Sequence, residues 1–357
     1  STVTKLVNGL LDERLIHLAS QPDIRGTKGR RPTGLFINTT LGVVIGIEML
    51  TDSWTGVAVN LDGKCIDIFH QENLPLGGSA IKTVEDAIKR MTERQRESGR
   101  RVLGTGLGLS GMVNPYLGMV LSSNPLNIHE PFSLHNAFKD TFPFPVMVEN
   151  DANCCCWNVF LEKKGDCHRN FLCILGEYRR TGIGPENGYS EIPGVAVGMG
   201  LVIKDSVLHG DKFSSGEFQS VFKNVNNPTQ FDLDPEEVTG LQTSDELRMR
   251  VFRELAKNTA LLVNVLNLSM IKIYGNFITD PEQLKQIFDE EIQINWPYSY
   301  SNKVECEIEV SSQGREAVAV GAAGYLLNCF FSTPDIWEES DTPYLNGVDL
   351  LRQVLNT

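Results

Sequence analysis

Val148-Glu149-Asn150-Asp151-Ala152-Asn153 says more about this chain than any other stretch of it. It follows an apolar run, Phe144-Pro145-Val146-Met147-Val148, which reads as a buried strand, and precedes Ala152 to Phe160, which reads as a helix. An Asn-Asp pair at such a corner puts two short polar side chains at the carboxyl edge of a sheet. In open α/β folds that edge faces the ligand cleft. Asp151 can equally be a helix N-cap, because its carboxylate can accept from the orphan amides of the first turn. The motif alone leaves both readings open.

On either side of this corner, the pattern predicts two α/β lobes. Runs at 42–49, 54–61 and 64–71 read as an antiparallel meander. Residues 80–97 follow as an amphipathic helix, with Ile81, Val84, Ala87, Ile88 and Met91 at helical spacing. Strands near 102–109 and 145–148 complete the first lobe. The second repeats the theme without residue-level identity. It has strands near 170–175 and 195–203, a helix near 244–267, a strand at 270–274, a helix near 281–290, a strand at 305–311 and a helix at 314–330. Two lobes around a cleft suit a binder that closes on its ligand.

Composition narrows the function classes. The 357 residues are 41% apolar, enough for real cores, and no run approaches the roughly 20 apolar residues needed to span a membrane. No signal-peptide pattern opens the sequence, and the expected setting is cytoplasmic. The eight cysteines include Cys154-Cys155-Cys156 but no CxxC pair, and adjacent helical cysteines point in different directions. They read as small buried residues in a reducing compartment, with no metal site. Charge is uneven: residues 1–40 hold six Lys/Arg against three Asp/Glu, whereas the rest holds 26 against 42. A small basic end on an acidic body suggests an anion-binding appendage.

Within that end, Val3, Leu6, Val7, Leu10 and Leu11 share one helical face, and Thr2, Thr4, Lys5 and Asn8 lie opposite. Short polar side chains at a helix start suit a major groove. A strand-like Leu15–Ser20, a polar turn and Gly29-Arg30-Arg31-Pro32-Thr33 follow. Arg30 and Arg31 on such a hairpin suit a narrow minor groove.

The ordered set of motifs resembles the ROK family of bacterial repressors and sugar kinases. Val43–Glu48 resembles its opening strand, and Gly106-Leu-Gly-Leu-Ser-Gly-Met-Val113 its Gly-rich strand end. Ser122-Ser-Asn-Pro-Leu126 resembles its sugar loop. Val148–Asn153 is the most specific match. Gly198–Ile203, His209-Gly210 and Gly216-Glu217 resemble the second phosphate hairpin and the sugar-binding Glu. The resemblance implies an α/β, two-lobed actin- or hexokinase-like (ribonuclease-H-like) fold. It divides the chain into a partial winged helix-turn-helix (1–40), an N-terminal lobe (41–148) and a C-terminal lobe (149–357) whose last helix can return to the first. Two further helices would have to precede the recognition helix to complete the DNA-binding unit. The implied sugar contacts are Ser110, Gly111, Asn124, Asn150, Asp151, Glu217 and Ser220. The implied DNA contacts are Thr2, Thr4, Lys5, Asn8, Arg30 and Arg31.

The kinase elements of the family are degraded together. Its first hairpin carries Asp-x-Gly-Gly-Thr, where this chain reads Glu48-Met49-Leu50-Thr51-Asp52, and an Asp facing phosphate is a like-charge clash. Gly194-Val195-Ala196 and Tyr274-Gly275-Asn276-Phe277 depart in the same way from the second hairpin and the adenosine-side turn. Ser220 replaces the His of the zinc signature, and no cysteine cluster follows. The expectation is a sugar-sensing repressor, dimeric or tetrameric, without cofactor or metal, with Asp151 a vestigial base that still bonds a sugar hydroxyl. Its partners are operator DNA and a sugar or sugar phosphate, with no membrane. The alternatives are an ATP-dependent sugar kinase, with Glu48 as a magnesium contact, and an interaction protein with an empty pocket. Glu177–Gly194 is expected to be an 18-residue loop over the former nucleotide cleft, with Arg179 and Arg180 as anion ligands or solvated surface residues.

Overall fold

The structure, a computed structural model, describes residues 2–18, 34–74, 79–163, 168–180, 193–224, 229–298, 303–311, 313, 316–331 and 347–356. The chain opens with α1 (Thr2–Asp12), then β1 (Ile16–Leu18) and β2 (Leu35–Ile37), which pair antiparallel. Leu15 anchors this appendage in the first core. Glu13 adds a bidentate pair with Arg352 at 2.9 and 3.0 Å.

The meander follows as β3 (Val43–Met49), β4 (Trp54–Asn60) and β5 (Cys65–Gln71). Every residue of β3 is buried, as suits a strand covered on both faces, while β5 at the sheet edge is only partly covered. Next come α2 (Ala80–Glu97), β6 (Val102–Leu109), and a small sheet of β7 (Met112–Asn114), β8 (Met119–Ser122) and β9 (Phe132–Ser133). α3 (Leu134–Phe138) and β10 (Val146–Asn150) complete this part. Ser79 caps α2 by accepting from the Lys82 amide. The first large sheet runs β10-β6-β3-β4-β5.

α4 (Asp151–Lys163) leads into β11 (Phe171–Arg180), β12 (Pro193–Ile203) and β13 (Ser206–Val207). Then come α5 (Pro235–Gly240), α6 (Asp245–Leu266), β14 (Met270–Tyr274), α7 (Pro281–Ile294), β15 (Glu307–Val310), α8 (Glu316–Phe331) and α9 (Val348–Asn356). The second large sheet runs β13-β12-β11-β14-β15. Both sheets share one plan. The first strand of each has a hairpin partner on one side and two successive parallel strands on the other.

α4 and α8 form the layer between the sheets. They pack on each other, α4 also on β11 and β12, α8 also on β3 and β6. α4 is buried nearly all round, including its three cysteines, so it shows no amphipathic stripe. The small residues of α8 permit very close approach: a Cβ on Gly321 would stand 1.7 Å from the Cys154 carbonyl oxygen. Ala319, Ala323 and Leu326 of α8 and Leu350, Leu351 and Val354 of α9 belong to the core of the first sheet. Among the described residues, no helix is long and apolar enough to cross a membrane.

One expectation is corrected. The 18-residue loop expected at 177–194 is partly strand, because β11 and β12 stay paired out to Arg180 and Pro193. Its remainder and the side chains of Arg179 and Arg180 lie outside the described part.

Candidate functional site: the corner between β10 and α4

Buried β10 delivers the motif to the start of α4, and its parallel register sets Glu149 beside Gly108 and Asn150 beside Leu109 of β6. The capping role falls on Asn150, not Asp151: Asn150 Oδ1 accepts from the Asn153 amide at 3.1 Å. Asn150 Nδ2 donates to the Gly111 carbonyl at 3.0 Å, which ties the corner to the Gly-rich segment. Asp151 stands in the first turn, where the helix dipole favours its charge, and Oδ1 accepts from the Ala152 amide at 2.9 Å.

Glu217 comes from the second sheet. It bridges to Gly198 of β12, and a Cβ on Gly198 would lie 4.0 Å from Asp151 Oδ1. The residue keeps an exposed surface, yet its carboxyl is held above the usual carboxylate range. Partial burial is the first cause and the charge of Asp151 the second, so the two acids share one neighbourhood. Gly216 sets this turn with φ +89°, and a Cβ there would meet the Met199 carbonyl oxygen at 1.7 Å.

Asn150, Asp151, Gly111 and Glu217 thus gather at one corner. The Ser110 carbonyl adjoins it, accepting from Ser123 Oγ at 2.6 Å. Asn124 is exposed on the following turn, where its carbonyl accepts from the Asn127 amide. Ser220 is not brought in: it is buried, and its hydroxyl accepts from Asn258 Nδ2 of α6 at 3.1 Å and from the Phe222 amide at 3.2 Å. On α1, Thr2, Thr4, Lys5 and Asn8 are exposed; so are Val3 and Leu6, while Leu10 rests against the first core. Arg30 and Arg31 lie outside the described residues.

Two residues that the sequence placed in motifs without assigning them a contact, Glu149 and His209, organise the corner. Glu149 is fully buried and accepts four hydrogen bonds. Oε1 takes the Asn150 amide at 2.8 Å and Asn153 Nδ2 at 3.2 Å; Oε2 takes His209 Nε2 at 2.8 Å and Trp157 Nε1 at 3.4 Å. His209 Nδ1 meets the Tyr116 hydroxyl at 3.3 Å. The available signal was a charged residue inside a buried strand, since a buried carboxylate must find donors.

The elements expected to face a nucleotide are held by contacts within the chain. The β3–β4 turn holds Leu50 N to Ser53 O at 2.9 Å with no positive φ, so nothing in it requires glycine. Beyond β14, Asn276 Oδ1 accepts from the Tyr178 amide at 2.7 Å. Phe277 is fully buried against Gly176 and edge-on to Phe252. Burial first, with Glu149, Asp151 and Glu48 adding negative charge, pushes the Cys154 thiol well up, so it stays protonated. Cavities of ≈ 330 Å³ (with Trp54, Lys82 and Arg90) and ≈ 480 Å³ (with Lys272, Lys285 and Ser311) open elsewhere and are lined by none of the corner residues.

Residues 44–185 match the model described as "ROK family". The xylose repressor of Bacillus spizizenii is 26% identical over 229 residues, covering 64% of this chain and 54% of that protein. A glucokinase of Streptomyces coelicolor is 29% identical over 145 residues, 40% of this chain and 43% of that protein. The chain therefore spans about half the length, or less, of the curated relatives it matches. Among solved structures, a ROK family transcriptional regulator described as a homologue of the E. coli MLC protein superposes with a TM-score of 0.69 at 17% identity, over 99% of this chain and 91% of that one. With the two matched sheets and the β10–α4 corner, these likenesses identify the chain as a carrier of a ROK family domain on an actin- and hexokinase-like fold.

Proposed function

We propose that this chain is the effector-binding body, with part of the DNA-binding head, of a sugar-responsive transcriptional repressor. One contrast carries the reading. Polar acceptors gather at the β10–α4 corner, whereas the β3–β4 turn carries Leu50, Thr51 and Asp52 in place of glycines and Asn276 and Phe277 are packed onto β11. A sugar or sugar phosphate sits between the lobes, with Asp151 and Glu217 accepting from its hydroxyls and Asn150 and Gly111 framing it. Charged acceptors strengthen such bonds. Relatives that are xylose repressors make an aldopentose the first ligand to try.

Ligand binding changes the lobe angle and, in a cytoplasmic dimer or tetramer, the spacing of the heads, so operator affinity changes. The head is residues 1–40, the body the two lobes. Thr2, Thr4, Lys5 and Asn8 contact the major groove, Arg30 and Arg31 the minor groove. No cofactor or metal enters this mechanism. A sugar panel in a thermal-shift assay tests the first part, because a ligand bound only to the native state raises its stability by RT ln(1 + [L]/Kd). Absence of any response, with the protein folded, sinks it.

The second reading is an ATP-dependent sugar kinase, favoured by the glucokinase relatives and by Asp151 at the helix start, where it would deprotonate the attacking hydroxyl. A coupled assay with the best-binding sugar, ATP and magnesium decides between them. Asp151-dependent turnover within the usual range of roughly 1–1,000 per second overturns the repressor-only reading.

A further inference from the structure

Tyr116 lies in the β7–β8 turn and Glu149 is the last residue but one of β10, both on the side of the first sheet. His209 lies on the loop between β13 and Glu217, on the side of the second. The Tyr116–His209–Glu149 chain, with contacts of 3.3 and 2.8 Å, therefore links the two lobes. Phe213 closes the aromatic cluster, 6.1 Å from Tyr116 and 6.4 Å from His209 between ring centres. The same Glu149 carboxylate holds the Asn150 amide and the Asn153 side chain, so a change at His209 is one bond from the corner. We propose that Glu149, His209 and Tyr116 form a clasp between the two lobes that positions the Asn150–Asp151 corner for its ligand and tightens when His209 is protonated.

Both charge states can keep the geometry. Neutral His209 donates from Nε2 to Glu149 and accepts the Tyr116 proton at Nδ1; charged His209 donates from both nitrogens. Protonation converts the 2.8 Å contact from a hydrogen bond to a buried carboxylate into a charge-assisted ion pair, which is stronger. The groups on the surrounding elements are Glu149 of β10, Tyr116 of the β7–β8 turn, Asp151 and Trp157 of α4, and Asp211, Lys212 and Glu217 on the loop of His209 itself. Glu149 and Tyr116 bond to the imidazole. Burial alone would lower the His209 pKa, but the charge and hydrogen bond of Glu149 outweigh it and hold the value above that of a free imidazole. A raised imidazole pKa contributes stability that is fully present below the unfolded value of about 6.5 and is lost as pH rises through the folded value. The clasp is thus firm in mild acid and relaxes as pH rises through the folded value of His209.

The test has two arms, and only the second rests on the sugar-effector reading. In the first, imidazole NMR of the full chain follows His209 against pH. The expected midpoint lies above about 6.5 and falls in Glu149→Gln, where burial is left unopposed. A wild-type midpoint at or below that value overturns the clasp. In the second, calorimetry measures D-xylose and D-glucose binding near pH 6 and near pH 8.5. Wild-type affinity should drop roughly 3- to 10-fold between them. His209→Gln should be flat, and Tyr116→Phe, a change at an exposed ring, should lose part of the slope. The same slope in wild type and His209→Gln overturns the proposal. If neither sugar binds wild type at either pH, the effector reading fails for these sugars and the imidazole titration alone decides the clasp.

Discussion

Gly216 and Gly275 both hold positive φ, +89° and +113°, and both are pressed against a backbone carbonyl: a Cβ would stand 1.7 Å from Met199 O in one and 1.8 Å from Gly176 O in the other. Their C-terminal neighbours differ. Gly216 presents Glu217, a partly exposed acid sharing its surroundings with Asp151. Gly275 leads into Asn276 and Phe277, whose amide oxygen and ring are both spent on holding β11. The same backbone device, on neighbouring strands of the second sheet, leaves an acid partly exposed at one turn and packs the next side chains onto the sheet at the other. In both turns the glycine marks a close approach to the chain's own backbone, and the residues after it decide what the turn leaves exposed.

The packed turn should be the more sensitive to truncation and the less relevant to binding. Phe277→Ala removes a fully buried ring and should cost about 3–5 kcal/mol in urea unfolding, with sugar affinity unchanged at a temperature where the variant stays folded. A parallel loss of affinity would break the comparison. Gly216→Ala should cost about 2–4 kcal/mol through the forced φ and the overlap with Met199 O. Here calorimetry should also show weakened sugar binding, because Glu217 moves with the turn. Asp151→Ala should leave the unfolding midpoint within about 1 kcal/mol of wild type while weakening sugar binding by roughly 10- to 100-fold, the worth of a charged hydrogen bond. Equal affinity in this variant would remove Asp151 from the site. Ser220→Ala gives the smallest effect, about 1 kcal/mol of stability from its bonds to Asn258 and Phe222, with no change in sugar affinity. A clear loss of affinity would show that its hydroxyl turns into the cleft when ligand binds.

Pattern within single segments was enough to place the β3–β5 meander, α2, α6, β14 and α7. The strands read as short, largely apolar runs and the helices as apolar faces repeating at 3.6 residues, and in the structure Ser79 and Ser244 cap α2 and α6. The amino-acid order also placed Asn150 and Asp151 at a strand-to-helix corner, because a buried run ending in short polar residues has few other readings. Beyond that reach lay the assignment of the cap to Asn150 and of Ser220 to α6. Each depends on which donor comes within about 3 Å, and spacing in a chain does not encode that. The β11–β12 pairing out to Arg180 and Pro193 was illegible for the same reason, since strand ends are fixed by their partners. Glu149 and His209 are 60 residues apart and carry no shared motif. Only the packing of α4 between two sheets brings them to 2.8 Å, where a buried carboxylate must be matched by a donor from the opposite lobe.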